Sequence, residues 1–356
     1  MSAGLYIHIP FCRSRCDYCS FVSCIDTSKQ DEYYKCFKNQ AYSVDYNGDF
    51  DTVYFGGGTP SVVPKLLEKM YGFITRTFSI KSGSEITVEC NPDSVDSETL
   101  KALENIRCNR VSLGLQSTDD DLLKSIGRRH NFAQFVDALK QIQKITQNVS
   151  ADIMLGLPNQ SLESVVQSVK QTLELGIKHI SVYSLKVEQG TPLYKRGFVV
   201  DEDLQADMYD AVYEEVKKFG FERYEVSNFC LKGFESRHNY KYWSLEDYIG
   251  LGAAAHSYYG GKRYEGVGLQ DYLKDKQPIV TDVSDDYEEE LIMLSLRTKM
   301  GLELARLGEG KEKFFIRNQE KLKNYIKQGL IEVDEKYLHL TEKAFYIMNS
   351  IIVDLI

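Results

Sequence analysis

Short apolar runs alternate with amphipathic stretches from the start of the chain to about residue 230. Seven runs rich in β-branched, aromatic and aliphatic residues are predicted strands, at 5–11, 51–57, 85–90, 110–117, 151–157, 179–187 and 223–229. Four longer stretches have apolar residues at helical spacing, at 62–78, 132–145, 162–175 and 203–219. Strands separated by helices of this length are typical of βαβ units. We expect a full or partial (β/α) barrel, since a doubly wound sheet would be expected to carry a dinucleotide fingerprint.

The pattern changes twice after Phe229. Residues 231–284 are rich in glycine, aromatic residues and histidine and have no clear period, which predicts an irregular and functional interdomain region. From residue 285 the order is helices, two short strands around a turn, and a closing helix, as in a winged helix. This segment has 11 basic and 14 acidic residues, so DNA reading is not expected. The predicted division is therefore a barrel at 1–230, an interdomain region at 231–284 and a winged-helix-like domain at 285–356.

Composition narrows the class of protein. The 356 residues are 43% hydrophobic and 27% charged, which excludes disordered, collagen-like and disulfide-scaffold proteins. No apolar run approaches the roughly 18 residues of a membrane span, and the first ten residues do not have the pattern of a signal peptide. We therefore expect a cytoplasmic protein with no transmembrane segment. The net charge of −9 argues against a nucleic-acid partner.

Four of the eight cysteines fall within residues 12–24, which in a reducing compartment indicates a metal site. Cys12, Cys16 and Cys19 have the spacing Cys-x3-Cys-x2-Cys just after the first predicted strand. Three thiolates can hold three corners of a 4Fe-4S cluster and leave the fourth iron open. The alternative is a structural zinc site with Cys24 or Cys36 as its fourth ligand, although such sites usually pair two cysteine knuckles.

A glycine run follows the second predicted strand, at Gly56-Gly57-Gly58-Thr59-Pro60. Glycines at a strand end let the backbone approach a ligand closely and point N–H groups at a carboxylate. On its own, this run is equally consistent with a plain tight turn.

Together, the cysteine triplet and the glycine run resemble the radical S-adenosylmethionine (SAM) superfamily, in its coproporphyrinogen-dehydrogenase-like branch. The resemblance implies an α/β fold, a partial (β/α)6 TIM-like barrel with a C-terminal helical, winged-helix-like module. It implies a 4Fe-4S cluster on Cys12, Cys16 and Cys19, with SAM on the open iron, where one electron releases a 5′-deoxyadenosyl radical. The SAM contacts that it implies are Tyr6, Tyr18, Gly57, Gly58, Thr59, Glu89, Gln116, Arg128 and Asp152. Most lie within or at the end of predicted strands, where a barrel places its active site.

Two functions share this scaffold, namely HemW-like heme chaperones and oxygen-independent coproporphyrinogen III dehydrogenases. The dehydrogenases have a further cysteine where this chain has Phe21, and a long segment before their cysteines, whereas here Cys12 is almost at the start. Residues 238–243 read His-Asn-x-x-Tyr-Trp, which resembles the heme motif of the chaperones. An imidazole ligates heme iron, aromatic rings offer a flat apolar surface, and Arg237 or Lys241 can pair with propionates. The motif residues are His238, Asn239, Tyr242 and Trp243.

The alternative interpretation of the motif is an aromatic loop that merely packs against the barrel. The favoured function is heme chaperone, which binds heme, the cluster and SAM and delivers heme to an acceptor hemoprotein. An electron donor for the cluster and peripheral contact with membrane hemoproteins are further expected partners. The rival function is oxidative decarboxylation of coproporphyrinogen III, so whether the protein is an enzyme stays open at this stage.

Overall fold

Six parallel strands lie side by side in the order of the chain. They are seen in a computed structural model, which describes residues 2–283 and 287–356. The strands are β1 (Ala3–Ile9), β2 (Phe50–Gly57), β3 (Ile80–Cys90), β4 (Arg110–Gln116), β5 (Val149–Leu155) and β6 (His179–Ser184). The helices that connect them are α1 (Gln30–Ser43), α2 (Pro64–Thr77), α3 (Ser97–Asn105), α4 (Asp120–Ser125), α5 (Phe132–Ile142) and α6 (Leu162–Glu174). After β6 follow α7 (Pro192–Lys195) and α8 (Glu202–Lys218). This arrangement confirms the partial (β/α)6 barrel.

Side chains alternate between two faces of the strands, because successive residues of a strand point to opposite sides. On β1, Leu5, Ile7 and Ile9 are fully buried in the core that the sheet forms with the connecting helices. Tyr6 and His8, which alternate with them, face the inside of the barrel. The interior is therefore polar and suited to a ligand.

The helices begin where the sequence supplies caps. Asn131 and Gln134 form a capping box at the start of α5, and Ser161 and Ser164 form one at the start of α6. Within the described residues, no helix is both long enough and apolar enough to cross a bilayer.

The seventh predicted strand, at 223–229, differs from the prediction. Two short antiparallel strands replace it, β7 (Glu222–Arg223) and β8 (Asn228–Cys230), and β8 pairs with β6. The interruption falls at the buried Glu225, whose carboxylate accepts hydrogen bonds from Ser227 N and Asn228 Nδ2. These hydrogen bonds to the buried carboxylate hold residues 225–228 in a turn, so the number of consecutive parallel strands stays at six.

Residues 231–284 were expected to be irregular, but about half of the described part of this stretch is helix or strand. It contains α9 (Arg237–Trp243), β9 (Tyr248–Leu251), β10 (Ser257–Tyr259), β11 (Lys262–Glu265), α10 (Leu269–Tyr272) and β12 (Ile279–Val283). Strand β9 is parallel to β1, and β10 to β12 continue antiparallel, so these strands extend the barrel sheet to twelve strands. Strands of three to five residues are too short to show a period in sequence, which explains the difference.

The C-terminal module has its own core, around Leu291, Phe314, Leu338 and Ile352. Its elements are α11 (Tyr287–Ser295), β13 (Leu302–Glu303), α12 (Gly310–Arg317), α13 (Gln319–Lys327), β14 (Ile331–Val333), β15 (Tyr337–Leu340) and α14 (Met348–Leu355). The three strands form a separate antiparallel sheet in the order β13-β15-β14, in which β14 and β15 are the two expected strands and β13 is an addition that the sequence did not predict. The predicted domain start at residue 285 lies outside the described residues.

Candidate functional site

The predicted cluster cysteines lie on one loop at the C-terminal end of β1. The loop is anchored at its base, because Cys12 N donates to Cys24 O at 2.9 Å and Cys24 N donates to Pro10 O at 2.7 Å. All three thiols of the triplet are free and half-buried. Burial raises the pKa of Cys12 to about 11 and also raises that of Cys19. The thiols of Cys12 and Cys19 are therefore protonated before iron binds, and cluster assembly releases these two protons.

The glycine run crosses the end of β1 at very short range. Gly57 has a φ of +104°, and a Cβ there would lie 2.3 Å from the ring of His8. A Cβ on Gly58 would lie 2.7 Å from the backbone of Pro10. Only glycine satisfies both constraints, so the close approach expected from the sequence is present.

The N–H groups of this run do not point to a ligand, contrary to expectation. Gly57 N donates to Glu89 Oε2 at 3.0 Å, Gly58 N to Ile9 O at 2.9 Å, and Thr59 N to Phe11 O at 2.8 Å. The Gly58 and Thr59 N–H groups continue the hydrogen bonding between β1 and β2 past the strand ends, and the Gly57 N–H is taken up by the Glu89 carboxylate. The contacts of Gly57, Gly58 and Thr59 with SAM therefore stay a prediction, which rests on the space that the two glycines leave.

Two carboxylates face each other inside the barrel. Burial raises the pKa of Glu89 to about 7 and that of Asp152 to about 6. Tyr54 Oη donates to Glu89 Oε1 at 2.9 Å, and Ser112 Oγ donates to Asp152 Oδ1 at 3.3 Å. Acceptors in a low-dielectric cavity suit a cationic or hydroxyl-bearing ligand, such as the amino group and ribose of SAM. The half-buried Tyr6 lies beside them, its ring 6.0 Å from that of Tyr54.

Arg128 lies between the carboxylates and the cluster loop. Its Nη2 donates to Asn91 Oδ1 at 2.8 Å and to Gly114 O at 2.6 Å, and its Nη1 lies 3.6 Å from Cys16 Sγ. Its buried Nε has no acceptor among the described residues. An unpaired buried donor costs about 1–3 kcal/mol, so an anionic group such as the SAM carboxylate fits this position.

The two remaining predicted SAM residues flank this group. Tyr18 is half-buried, packs against a small apolar cluster that includes Leu122 and Leu193, and lies close enough to Arg128 for their charges to interact. Gln116 ends β4 with a φ of +75°, a left-handed conformation that costs a residue other than glycine about 1–3 kcal/mol. Strain of this size persists where the surrounding structure imposes it, which is common at ligand sites. The cluster loop, the glycine run, Gln116 and Arg128 therefore lie at the C-terminal end of the barrel. Tyr6 and Asp152 lie midway along β1 and β5, and the Tyr6 ring is 6.4 Å from that of His238.

The heme motif lies at the opposite end of the barrel. It forms helix α9, which docks on the first residues of the strands, where a Cβ on Gly4 would lie 3.1 Å from the His238 ring. Glu85 Oε1 and Oε2 accept hydrogen bonds from His238 N at 3.0 Å and Arg237 N at 3.1 Å. Arg306 of the C-terminal module donates to Leu245 O, just beyond α9, at 3.1 Å. The motif helix is therefore held between the barrel and the C-terminal module.

Both ring nitrogens of His238 are already hydrogen-bonded. The residue is 0% exposed, with Nδ1 2.8 Å from Thr52 Oγ1 and Nε2 2.8 Å from Tyr242 Oη. Burial and the nearby Lys241 lower its pKa to about 3, so the ring is neutral. Asn239, Tyr242 and Trp243 are half-buried.

The basic residues of the motif are also paired. Lys241 is 5% exposed and bridges Asp51 at 3.0 Å and Glu246 at 2.9 Å. The Arg237 guanidinium donates to Gly83 O at 3.2 Å. Lys241 is therefore taken up by two carboxylates and is not a free partner for a propionate in this structure, contrary to expectation. The Arg237 side chain is 52% exposed, so its pairing with a propionate stays a prediction.

Three residues that the sequence analysis did not single out connect these parts. Asn91 joins Thr59 to Arg128, with Nδ2 3.0 Å from Thr59 Oγ1. The buried His8 holds the cluster loop through Val22 O at 2.9 Å. Tyr54 joins the two ends of the barrel, because its hydroxyl bonds Glu89 while its ring stacks on that of His238 at 5.1 Å.

Known proteins resemble the chain over nearly its whole length. Residues 6–172 match the radical SAM superfamily, and residues 284–347 match the HemN C-terminal domain. The heme chaperone HemW of Lactococcus lactis is 36% identical, over 97% of this chain and 95% of that protein. The chain belongs to the HemW family of radical SAM proteins. HemW of Bacillus subtilis is 35% identical, over 97% of both chains. A mouse relative, the mitochondrial radical S-adenosyl methionine domain-containing protein 1, is 32% identical over 86% of this chain and 70% of its own.

The structure of coproporphyrinogen III oxidase (HemN) from Escherichia coli superposes with a TM-score of 0.85. It covers 99% of this chain and 90% of its own, at 18% sequence identity, so it shows the shared fold. Membership of the radical SAM superfamily means that this HemW relative carries a 4Fe-4S cluster and binds SAM. The three free thiols of Cys12, Cys16 and Cys19 fit the cluster. The Arg128 Nε, which has no acceptor among the described residues, and the close approach at Gly57 fit SAM. The zinc alternative is therefore set aside.

Proposed function

We propose that the protein is a heme chaperone that binds heme and delivers it to an acceptor hemoprotein. The observation that carries the proposal is the similarity to HemW heme chaperones over 97% of the chain, together with a His-Asn-x-x-Tyr-Trp motif on α9. The cluster is assigned to Cys12, Cys16 and Cys19, and heme to His238, Asn239, Tyr242 and Trp243. SAM is assigned to Tyr6, Tyr18, Gly57, Gly58, Thr59, Glu89, Gln116, Arg128 and Asp152.

Heme ligation by His238 requires Tyr242 to move. An imidazole binds iron through a nitrogen lone pair, and Nε2 of His238 faces the Tyr242 hydroxyl at 2.8 Å. When Nδ1 carries the proton and donates to Thr52, the Nε2 lone pair accepts from Tyr242. The phenol hydroxyl thus stands where iron binds, and heme uptake includes its displacement.

The test is a hemin titration followed through the Soret band. His238→Ala is expected to lose the Soret shift, whereas Tyr242→Phe keeps it, because the phenylalanine no longer competes for Nε2. His179→Ala is the matched control, since His179 is equally buried and bonds Ser150 Oγ at 2.7 Å and Tyr224 Oη at 2.8 Å. Equal losses in the two histidine variants would indicate general destabilisation. An unchanged spectrum in His238→Ala would exclude His238 as the ligand.

The proposal extends to partners and location. A reduced electron carrier donates electrons to the cluster. The acceptor is a hemoprotein, reached in the cytoplasm or by peripheral contact with a membrane. The protein itself works in the cytoplasm. The alternative, oxidative decarboxylation of coproporphyrinogen III, is not favoured, because relatives that match 97% of the chain are HemW heme chaperones and the likeness to HemN at 18% identity shows the fold alone. Anaerobic incubation with reductant, SAM and coproporphyrinogen III separates the two. Release of CO2 together with 5′-deoxyadenosine would overturn a pure chaperone role.

A further inference from the structure

A chain of hydrogen bonds joins two of the three cluster thiols from outside their loop. Thr59 Oγ1 lies 3.6 Å from Cys12 Sγ, and Asn91 Nδ2 lies 3.0 Å from Thr59 Oγ1. Asn91 Oδ1 accepts from Arg128 Nη2 at 2.8 Å, and Arg128 Nη1 lies 3.6 Å from Cys16 Sγ. Asn91 stands at the middle of this Asn91 chain, one residue removed from either thiol.

The chemistry of the groups fixes the direction of every bond in the Asn91 chain. A guanidinium has only donors, so Asn91 must turn its Oδ1 toward Arg128 and its Nδ2 toward Thr59. Because Thr59 Oγ1 accepts from Nδ2, its own proton is free to be donated to Cys12. A thiolate bound to iron can only accept. Both ends of the chain are therefore donors aimed at cluster sulfurs.

The surroundings hold Asn91 in this orientation. Its backbone N donates to Ser61 Oγ at 3.3 Å, and its backbone O accepts from Ser94 Oγ at 2.9 Å. A Cβ on Gly114 would lie 3.0 Å from both Asn91 Oδ1 and Arg128 Nη2, so the glycine leaves room for this pair. Thr59 is 4% exposed, which limits competition from water. The donors are thus fixed before a cluster binds.

We propose that Asn91 is a positioning residue that keeps Thr59 and Arg128 donating to the sulfurs of Cys12 and Cys16, and thereby sets the reduction potential of the cluster. Hydrogen bonds to cluster sulfurs are one of the features that set this potential, because they stabilise the more negative, reduced state. The inference concerns the cluster alone. A failed heme titration would leave it untouched, and its own failure would leave the chaperone proposal untouched.

The test is an anaerobic redox titration of the reconstituted cluster, followed by electron paramagnetic resonance. Asn91→Ala is expected to make the midpoint potential more negative, because both donors lose their fixed direction. Asn91→Asp is expected to shift it further in the same direction. The new carboxylate still accepts from Arg128, but it also draws the Thr59 hydroxyl away from Cys12 and adds negative charge.

Asn109→Ala is the matched control. The Asn109 side chain also makes two hydrogen bonds, with Ile86 N at 2.8 Å and Ser84 O at 2.8 Å, toward the opposite end of β3. The midpoint potential of the cluster in Asn109→Ala is expected to equal that of the wild type. A midpoint in Asn91→Ala equal to the wild-type value, or an equal shift in Asn109→Ala, overturns the proposal.

Thr59→Val supplies a second arm in case Asn91→Ala binds less iron than the wild type. It removes only the hydroxyl at the Cys12 end of the Asn91 chain, and valine has nearly the same shape as threonine. A more negative midpoint potential is expected here too. A wild-type midpoint in a fully loaded Thr59→Val variant contradicts the inference.

Discussion

Removal of the Glu85 carboxylate is expected to release helix α9 from the base of the barrel. Glu85 is 5% exposed and accepts hydrogen bonds from the backbone N–H groups of Arg237 and His238, at 3.1 and 3.0 Å. Bonds to a charged partner contribute about 1.5–3 kcal/mol each. With both lost in Glu85→Ala, and part of the loss regained through water, the free energy of local opening of α9 falls by about 3 kcal/mol. That change corresponds to roughly 100-fold faster exchange of the α9 amides.

The assay is amide hydrogen exchange by mass spectrometry, which measures local opening without assuming two-state unfolding of a multi-domain chain. Peptides that cover 237–243 are compared with peptides from β4, whose protection is expected to stay unchanged. Glu98→Ala is the control, because Glu98 is exposed and pairs with Lys65 only at 3.6 Å on the surface. Protection of α9 within about twofold of the wild type would refute the reasoning. Equal loss in β4 would show that Glu85 supports the barrel as a whole.

Three shorter predictions concern the other end of the barrel. Gly57→Ala is expected to abolish SAM binding in equilibrium dialysis, whereas Gly83→Ala, also at positive φ but with nothing within 4 Å, keeps it. Because the pKa of Glu89 is raised to about 7, the unliganded protein loses stability as pH rises from about 4.5, the value in the unfolded chain, through 7. In Glu89→Gln this slope flattens in thermal unfolding, and an unchanged slope assigns it to another group. Cys12→Ser is expected to lose the iron and the visible absorption of the cluster, while Cys24→Ser retains both; equal iron in both variants would disprove the triplet.

Hydrophobic periodicity was sufficient to predict the six parallel strands. The predicted strands 110–117 and 151–157 correspond to β4 and β5 within two residues at each end. Their outward residues, such as Val111, Leu113 and Ile153, are completely buried under helices, so apolar residues recur at every second position of these strands. The split at Glu225 could not be predicted, because it depends on whether a single carboxylate is buried in the folded chain.

The polar interior left a signal that the sequence analysis did not use. Tyr54 lies between the outward-facing Val53 and Phe55, and Glu89 follows the outward-facing Val88. Polar residues at alternate positions of apolar strands indicate an inner face that meets solvent or a ligand. This pattern could have identified Tyr54 before the structure was known.

The sequence could not predict where the heme motif lies in the fold. The partners of α9 are Gly4, Thr52 and Glu85, which lie more than 150 residues before His238 in the chain. The local pattern of hydrophobic and polar residues does not indicate contacts between residues so far apart in the chain. The capping of α9 by Ser236, whose side chain accepts from Asn239 N, was the local feature that could have shown a helix in place of an irregular loop.

The Tyr54 side chain lies between the Glu89 carboxylate, which we assign to SAM, and the His238 imidazole, which we assign to heme. Tyr54 bonds Glu89 at one end and stacks on His238 with its ring, so a substitution at either neighbour removes a support of the same side chain. If the two assignments hold, a substitution at Glu89 or at His238 is expected to change the affinity for both SAM and heme. A His238 variant with weakened heme binding must also be scored for SAM binding, and a Glu89 variant for heme. Only a double-mutant cycle between the two residues assigns each loss to its own ligand.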